Sequence, residues 1–233
     1  MHTTEWKNQF LLLQINDSLF PIGGYSHSYG LETYIQRGLV HDASTAEEYL
    51  RNRLRYGFLY TDLLAVRLAY DAARKEDLEK INGLEEILEA SKIPCELREA
   101  SKKLGNRFQK TLLCMNPELR MGFFGRYLSM RRAGTTSHPC VYGVFCACAG
   151  IGRRDALAAF LYAQASASVT NCVKAIPLSQ SVGQKLLYSL FPLFEEILQL
   201  VLTAGEEMLC ASAPGFDLRS IQHEQLYSRL YMS

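Results

Sequence analysis

Apolar residues recur along this chain at intervals of three and four, the spacing that lines one face of an α-helix. Phe10, Leu11, Leu13 and Ile15 lead up to a break at Pro21 and Gly23-Gly24. Asp42, Ser44 and Thr45 offer N-caps for a helix through Tyr49, Leu50, Leu54 and Phe58. Thr61 or Asp62 offers the cap of the next, which carries Leu64, Val66, Leu68 and Ala69. Residues 77–90 set Leu78, Ile81, Leu84, Ile87 and Leu88 on one side of a charged helix that Pro94 ends. Another helix is predicted over 96–113, with Leu97, Leu104, Phe108 and Leu112 facing inward.

Residues 115–139 break this rhythm. They hold Pro117, Gly122, Gly125, Gly134 and Pro139, and are expected to form a loop-rich or mobile region. Residues 141–149 are almost wholly apolar, with small residues among them, the pattern of a helix buried all round. Residues 155–174 are rich in Ala and Ser and predict a close-packing helix. Residues 180–204 carry Leu186, Leu187, Leu190, Leu193, Ile197 and Leu200 at helical spacing, with a kink or break expected at Pro192. Alternating strand patterns are nearly absent. The pattern predicts an all-α protein: a single helical domain of roughly eight to ten helices over residues 1–210. A detachable C-terminal tail, residues 211–233, follows the breaker Ala211-Ser212-Ala213-Pro214-Gly215.

Composition narrows the function classes. Of 233 residues, 25 are Lys or Arg and 24 are Asp or Glu, a formal charge of +1. That balance argues against a general nucleic-acid or anionic-membrane binder, because both need a basic surplus. The apolar tract from 176 to 202 is interrupted by Gln180, Gln184, Lys185, Glu195 and Glu196, so no membrane span is expected. The N-terminal residues lack the pattern of a signal peptide. Seven cysteines, an odd number without a CxxC, sit mostly among apolar neighbours. They read as reduced, buried thiols of a cytoplasmic protein.

Four places offer chemistry. Residues 17–32 combine a Pro-Gly-Gly break with the polar cluster Tyr25, Ser26, His27, Ser28 and Tyr29. Ser26 as nucleophile and His27 as base would make a hydrolase. Adjacent side chains rarely converge, however, and no GxSxG elbow is present. His138, Cys140, Cys146 and Cys148 have ligand types that suit zinc or nickel and would make a metal carrier. Two residues apart on a helix point about 200° apart, which separates Cys146 from Cys148. Arg120, Arg126, Arg131 and Arg132 would grip an anion or line a solvated surface. The tail ends in Tyr227, Ser228, Arg229, Leu230, Tyr231 and Met232, the composition of an interface hot spot or of a last helix docked on its own domain. No P-loop, HExxH, GxGxxG or EF-hand pattern occurs, and no enzyme constellation emerges.

Several ordered motifs carry a resemblance over nearly the whole chain. They are Leu12-Leu13-Gln14-Ile15-Asn16-Asp17-Ser18, Pro21-Ile22-Gly23-Gly24-Tyr25-Ser26-His27-Ser28-Tyr29-Gly30-Leu31-Glu32, Ile176-Pro177-Leu178-Ser179-Gln180 and the end His223-Glu224-Gln225-Leu226-Tyr227-Ser228-Arg229-Leu230-Tyr231-Met232-Ser233. Together they resemble the UreF family of urease accessory proteins. The resemblance implies an all-α homodimer that is not an enzyme and uses no cofactor or resident metal. It implies binding to a D-type accessory scaffold (H-type in some species), recruitment of the G-type accessory GTPase, and action on apo-urease during nickel delivery. It places scaffold binding on Tyr227, Ser228, Arg229, Leu230, Tyr231 and Met232, in a tail ordered by its partner. It places a GTPase or dimer interface near Gly23, Gly24, Tyr25, Ser26, His27, Glu32 and Lys174.

Overall fold

A computed structural model describes residues 2–24, 27–131, 134–211 and 213–232, with side chains from residue 6 onward. Among the described residues there is no strand, and twelve α-helices build the body. Helix α1 (His2–Asn16) ends before the Pro21 break, and α2 (Leu31–Gln36) follows it. Asp42 opens α3 (Ala43–Asn52) with a capping box: its carboxylate accepts from the Thr45 N–H at 2.8 Å, and the Thr45 hydroxyl accepts from the Asp42 N–H at 3.1 Å.

The second cap expected at Thr61 or Asp62 is not there. Helix α3 runs without a break through a π-helical stretch, Arg53–Leu63, into α4 (Leu64–Arg74). The Thr61 hydroxyl donates to the Gly57 carbonyl at 2.5 Å, inside the helix. Asp62 is held instead by Lys92, whose Nζ donates to it at 2.7 Å. A hydroxyl that bonds the carbonyl four residues back has left the capping role. The π turns also open a backbone carbonyl sideways, and Tyr60 uses it to accept the Cys210 N–H at 2.8 Å.

Helices α5 (Leu78–Ser91, capped by Asp77) and α6 (Cys95–Met115) match their periodicity. The region expected to be loop-rich does not stay open. It forms a 3₁₀ turn, Pro117–Arg120, and then α7 (Phe123–Met130), with Phe124 and Tyr127 buried. Its glycine serves close packing: a Cβ on Gly125 would lie 2.0 Å from the Arg120 carbonyl oxygen. Helix α8 (His138–Cys148) is buried from His138 through Ala147, as its apolar pattern predicts. Helix α9 (Arg153–Ala175) crosses the body. Helices α10 (Gln180–Ser189) and α11 (Phe191–Thr203) meet at a 42° bend beside Pro192, the expected break. Helix α12 (Pro214–His223) starts with the proline of the breaker segment.

The core centres on α4 and α8. Leu64, Ala65, Val66 and Ala69 face Val141, Val144 and Cys146, all fully buried. The two backbones approach so closely that a Cβ on Gly143 would sit 2.4 Å from the Val66 carbonyl oxygen. Among the described residues no single helix is long and apolar enough to cross a membrane. The bent pair α10–α11 has the length, and its Leu187, Leu193, Ile197 and Val201 are buried in the body.

Gly143→Ala is expected to lower unfolding stability by about 1–3 kcal/mol, because backbone must move to admit the methyl group. Gly83→Ala, on α5 with nothing within 4 Å of its Cβ, is expected to raise it by roughly 0.5–1 kcal/mol through helix propensity. Urea unfolding of the two variants beside the parent checks both signs.

Candidate functional site

The ends of the chain meet at one carboxylate. Gly30 takes the left-handed conformation (φ 81°) that starts α2, and its missing side chain makes room for α12: a Cβ there would lie 2.8 Å from Ser220 Oγ. One residue into α2, Glu32 is buried and points at the tail. Its Oε1 accepts the Leu230 N–H at 2.6 Å, and its Oε2 accepts the Tyr231 N–H at 3.0 Å. Oε2 also lies 2.9 Å from Nε2 of His223, a fully buried residue at the end of α12. The other ring nitrogen, Nδ1, lies 2.7 Å from Glu96 at the start of α6. Arg229 reaches the same Glu96 with a donor at 2.5 Å. Hydrogen bonds to an ionised carboxylate are roughly twice as strong as neutral ones, so this joint holds with few atoms.

Neighbouring contacts extend it. The Cys95 N–H at the uncapped start of α6 donates to Glu224 at 3.2 Å, and Gln36 donates to the Ser228 carbonyl at 3.0 Å. On α9, Asn171 donates through Nδ2 to the His27 carbonyl at 2.8 Å, and its own carbonyl accepts the Tyr231 hydroxyl at 3.3 Å. Burial pushes the Tyr231 hydroxyl up to about 12. Lys174, exposed, lies three residues past Asn171 in the last turn of the same helix. The front motif, the end of α9 and the tail therefore form one joint.

The site residues sort clearly by position. Gly23 is in the left-handed region (φ 79°) of the turn that also holds Gly24. Tyr25 and Ser26 lie outside the described residues. His27 is buried, and desolvation first, then Lys103 and Arg107, lowers its pKa to about 4. It is a neutral ring at neutral pH, with a far weaker base strength than a hydrolase base needs. Along the tail, Tyr231 is turned inward. Tyr227 (105% exposed), Leu230 (65%) and Met232 (58%) stand out in solvent, with Ser228 and Arg229 exposed between them.

The metal pattern is dispersed. His138, Cys140 and Cys146 are buried within α8, while Cys148 is exposed at its end. Burial lowers His138 to about 4 and raises the Cys140 and Cys146 thiols well out of reach of neutral pH; Cys148 is pushed up to about 11 for the same reason. Among the described residues no group of three or more His, Cys, Asp or Glu is placed to hold an ion. The arginine cluster is dispersed too. Arg126 pairs with Glu76, Arg131 donates to Asn82 at 2.6 Å, Arg120 is exposed, and Arg132 lies outside the described residues. Glu96, Asn171 and Arg53, by contrast, carry no motif that singles them out, and only the fold brings them to the joint or its flank.

The comparisons with known proteins agree with one another. The sequence model of the UreF family matches residues 40–191. A protein of Actinobacillus pleuropneumoniae described as urease accessory protein UreF is 37% identical over 222 residues, covering 95% of this chain and 97% of the relative. One of Haemophilus influenzae (strain PittEE) with the same description is 36% identical, covering 95% of this chain and 94% of the relative.

Two outcomes follow from the geometry. Glu32→Gln, which removes the charge that three donors share, is expected to cost about 1–3 kcal/mol. It should also speed amide exchange at Leu230 and Tyr231, and unchanged exchange there would refute the clamp. His27 and His138 bind protons more readily unfolded, with ordinary values of 6.5, than folded. Their stabilising effect is complete above that value and is lost as pH falls toward about 4. The urea midpoint should therefore already drop between about pH 7 and about pH 5, above most carboxylate titration; a flat profile over that interval would contradict the assignment.

Proposed function

Because the chain belongs to the UreF family of urease accessory proteins, we propose that it acts in urease maturation as a non-catalytic assembly factor. On this reading it binds the D/H-type accessory scaffold, recruits the G-type accessory GTPase, and as a homodimer regulates nickel insertion into apo-urease in the cytoplasm. Seven cysteines that are all free thiols fit a reducing compartment. The nickel is cargo passed between partners, and this chain uses no cofactor of its own.

The observation that carries the reading is the division of labour in the tail. Backbone N–H groups and Tyr231 fasten it to the body, while Tyr227, Leu230 and Met232 are left uncovered. Aromatic and aliphatic side chains presented on a fixed backbone lose little entropy on docking, which favours binding. Residues 211–233 are the scaffold-binding segment on this account, and residues 1–210 are the body that positions it. The Gly23-Gly24 turn, with Tyr25, Ser26 and His27 after it, and Lys174 on the far side of Asn171, offer a second surface for the GTPase or the dimer partner. Control of the GTPase works by preference: the protein favours whichever GTPase state it binds more tightly, by no more than that difference in affinity.

Tyr227→Ala combined with Leu230→Ala is expected to abolish co-purification with the D/H-type scaffold. Both side chains are exposed, so the helical circular-dichroism spectrum and melting temperature should hold. Retained co-purification would refute the assignment of scaffold binding to the tail.

A further inference from the structure

A cavity of about 330 Å³ opens between the π-helical stretch, the α5–α6 connection and α12. Nothing in the joint uses it. Arg53, at the head of the π stretch, lines it and is 7% exposed. One of its N–H groups donates to Ser168 Oγ at 2.9 Å, and its guanidinium lies 4.5 Å over the Tyr29 ring. No carboxylate pairs with it among the described residues. Beside it, Lys92 and Asp62 neutralise each other, so the inner wall faces the cavity with two cations and one carboxylate. On the opposite wall stands Ser220, whose buried Oγ is packed against Gly30. Asp217 stands on that wall too, where burial raises its carboxyl and Lys92 opposes that rise. The remaining surface is largely apolar, with Phe58, Leu97 and Phe216.

A buried guanidinium with no carboxylate in contact is costly, and its planar fork matches a carboxylate better than any other small group. The volume lies within the range of small-molecule sites. We propose that this cavity binds a small organic acid, its carboxylate held by Arg53 and its apolar body packed against Phe58, Leu97 and Phe216. The π stretch builds the room. Gly57 presents no side chain to the cavity, and the Tyr60 carbonyl anchors Cys210 on its lining. The site is independent of the urease reading and is tested on the purified chain alone.

The probes are phenylacetate and octanoate, with 2-phenylacetamide as a neutral twin, titrated calorimetrically. At least one acid is expected to bind saturably, and the amide at least about tenfold more weakly than phenylacetate if that is the acid bound. Arg53→Gln should weaken the acid by about tenfold or more with the helical spectrum intact. If that variant does not fold, Leu97→Trp is read instead: the larger ring takes up cavity space and should weaken binding by about threefold or more. The proposal is overturned if neither acid binds the parent, if phenylacetate and its amide bind equally, or if the folded variant keeps the parent's affinity.

Discussion

One carboxylate fastens the two ends of this chain together. Glu32 is buried at the start of α2, and a buried charge persists only where donors surround it. The donors come from the tail: two consecutive backbone N–H groups and the Nε2 edge of His223. Successive N–H groups turned toward one anion make a compact anion cradle. Glu96 repeats the arrangement from the other side, sharing His223 and holding Arg229. Remove Glu32 and those tail N–H groups lose their acceptor while a fully buried imidazole loses one of its two partners. The end of the tail, beyond α12, is thus positioned by charge and hydrogen bonding with little apolar burial apart from Tyr231. That economy is what leaves Tyr227, Leu230 and Met232 outward. A segment held by a few strong polar contacts over a small area also opens at low cost relative to the core.

Beneath that joint lies an apolar, closely packed body. The α4–α8 centre is apolar and close enough to exclude a methyl group at Gly143. Its histidine is neutral, and its thiols are raised by burial. A rigid apolar centre with polar joints at the rim suits a protein that presents surfaces to others. Membership of an accessory-protein family agrees with that physical picture without being needed to reach it.

Most of the fold was legible because a 3.6-residue period is a strong signal over long segments. The α5, α8 and α9 patterns and the break beside Pro192 were readable from side-chain spacing alone. Two regions defeated the same logic for definite reasons. A π stretch shifts the phase of the apolar face, so the uninterrupted rod from Ala43 to Arg74 looked like two helices with a cap at Thr61 or Asp62. Glycines at 122 and 125 looked like loop formers, yet Gly125 is there because α7 touches the Arg120 carbonyl. The joint itself was legible only as separate motifs. His223 meets Glu32 and Glu96 across 191 and 127 residues of chain, and no periodicity records such a pairing. Asn171, which ties His27 to Tyr231, sits in an unremarkable run of small polar residues.

The cavity and the joint share a helix, and that shared element couples them physically. Phe216 and Ser220 of α12 wall the cavity, Ser220 rests on Gly30, and the same helix delivers His223 to Glu32. Anything that occupies the cavity only when α12 is seated stabilises the seated arrangement by RT ln(1 + [L]/Kd). The effect is bounded by the difference in affinity between the seated and unseated forms. An occupant held by Arg53 alone, on the rigid rod, would bind both forms alike and leave the tail untouched. One packed also on Phe216 would distinguish them. The placement of that ring on α12 therefore decides whether a bound acid is a passenger or a brake on the tail.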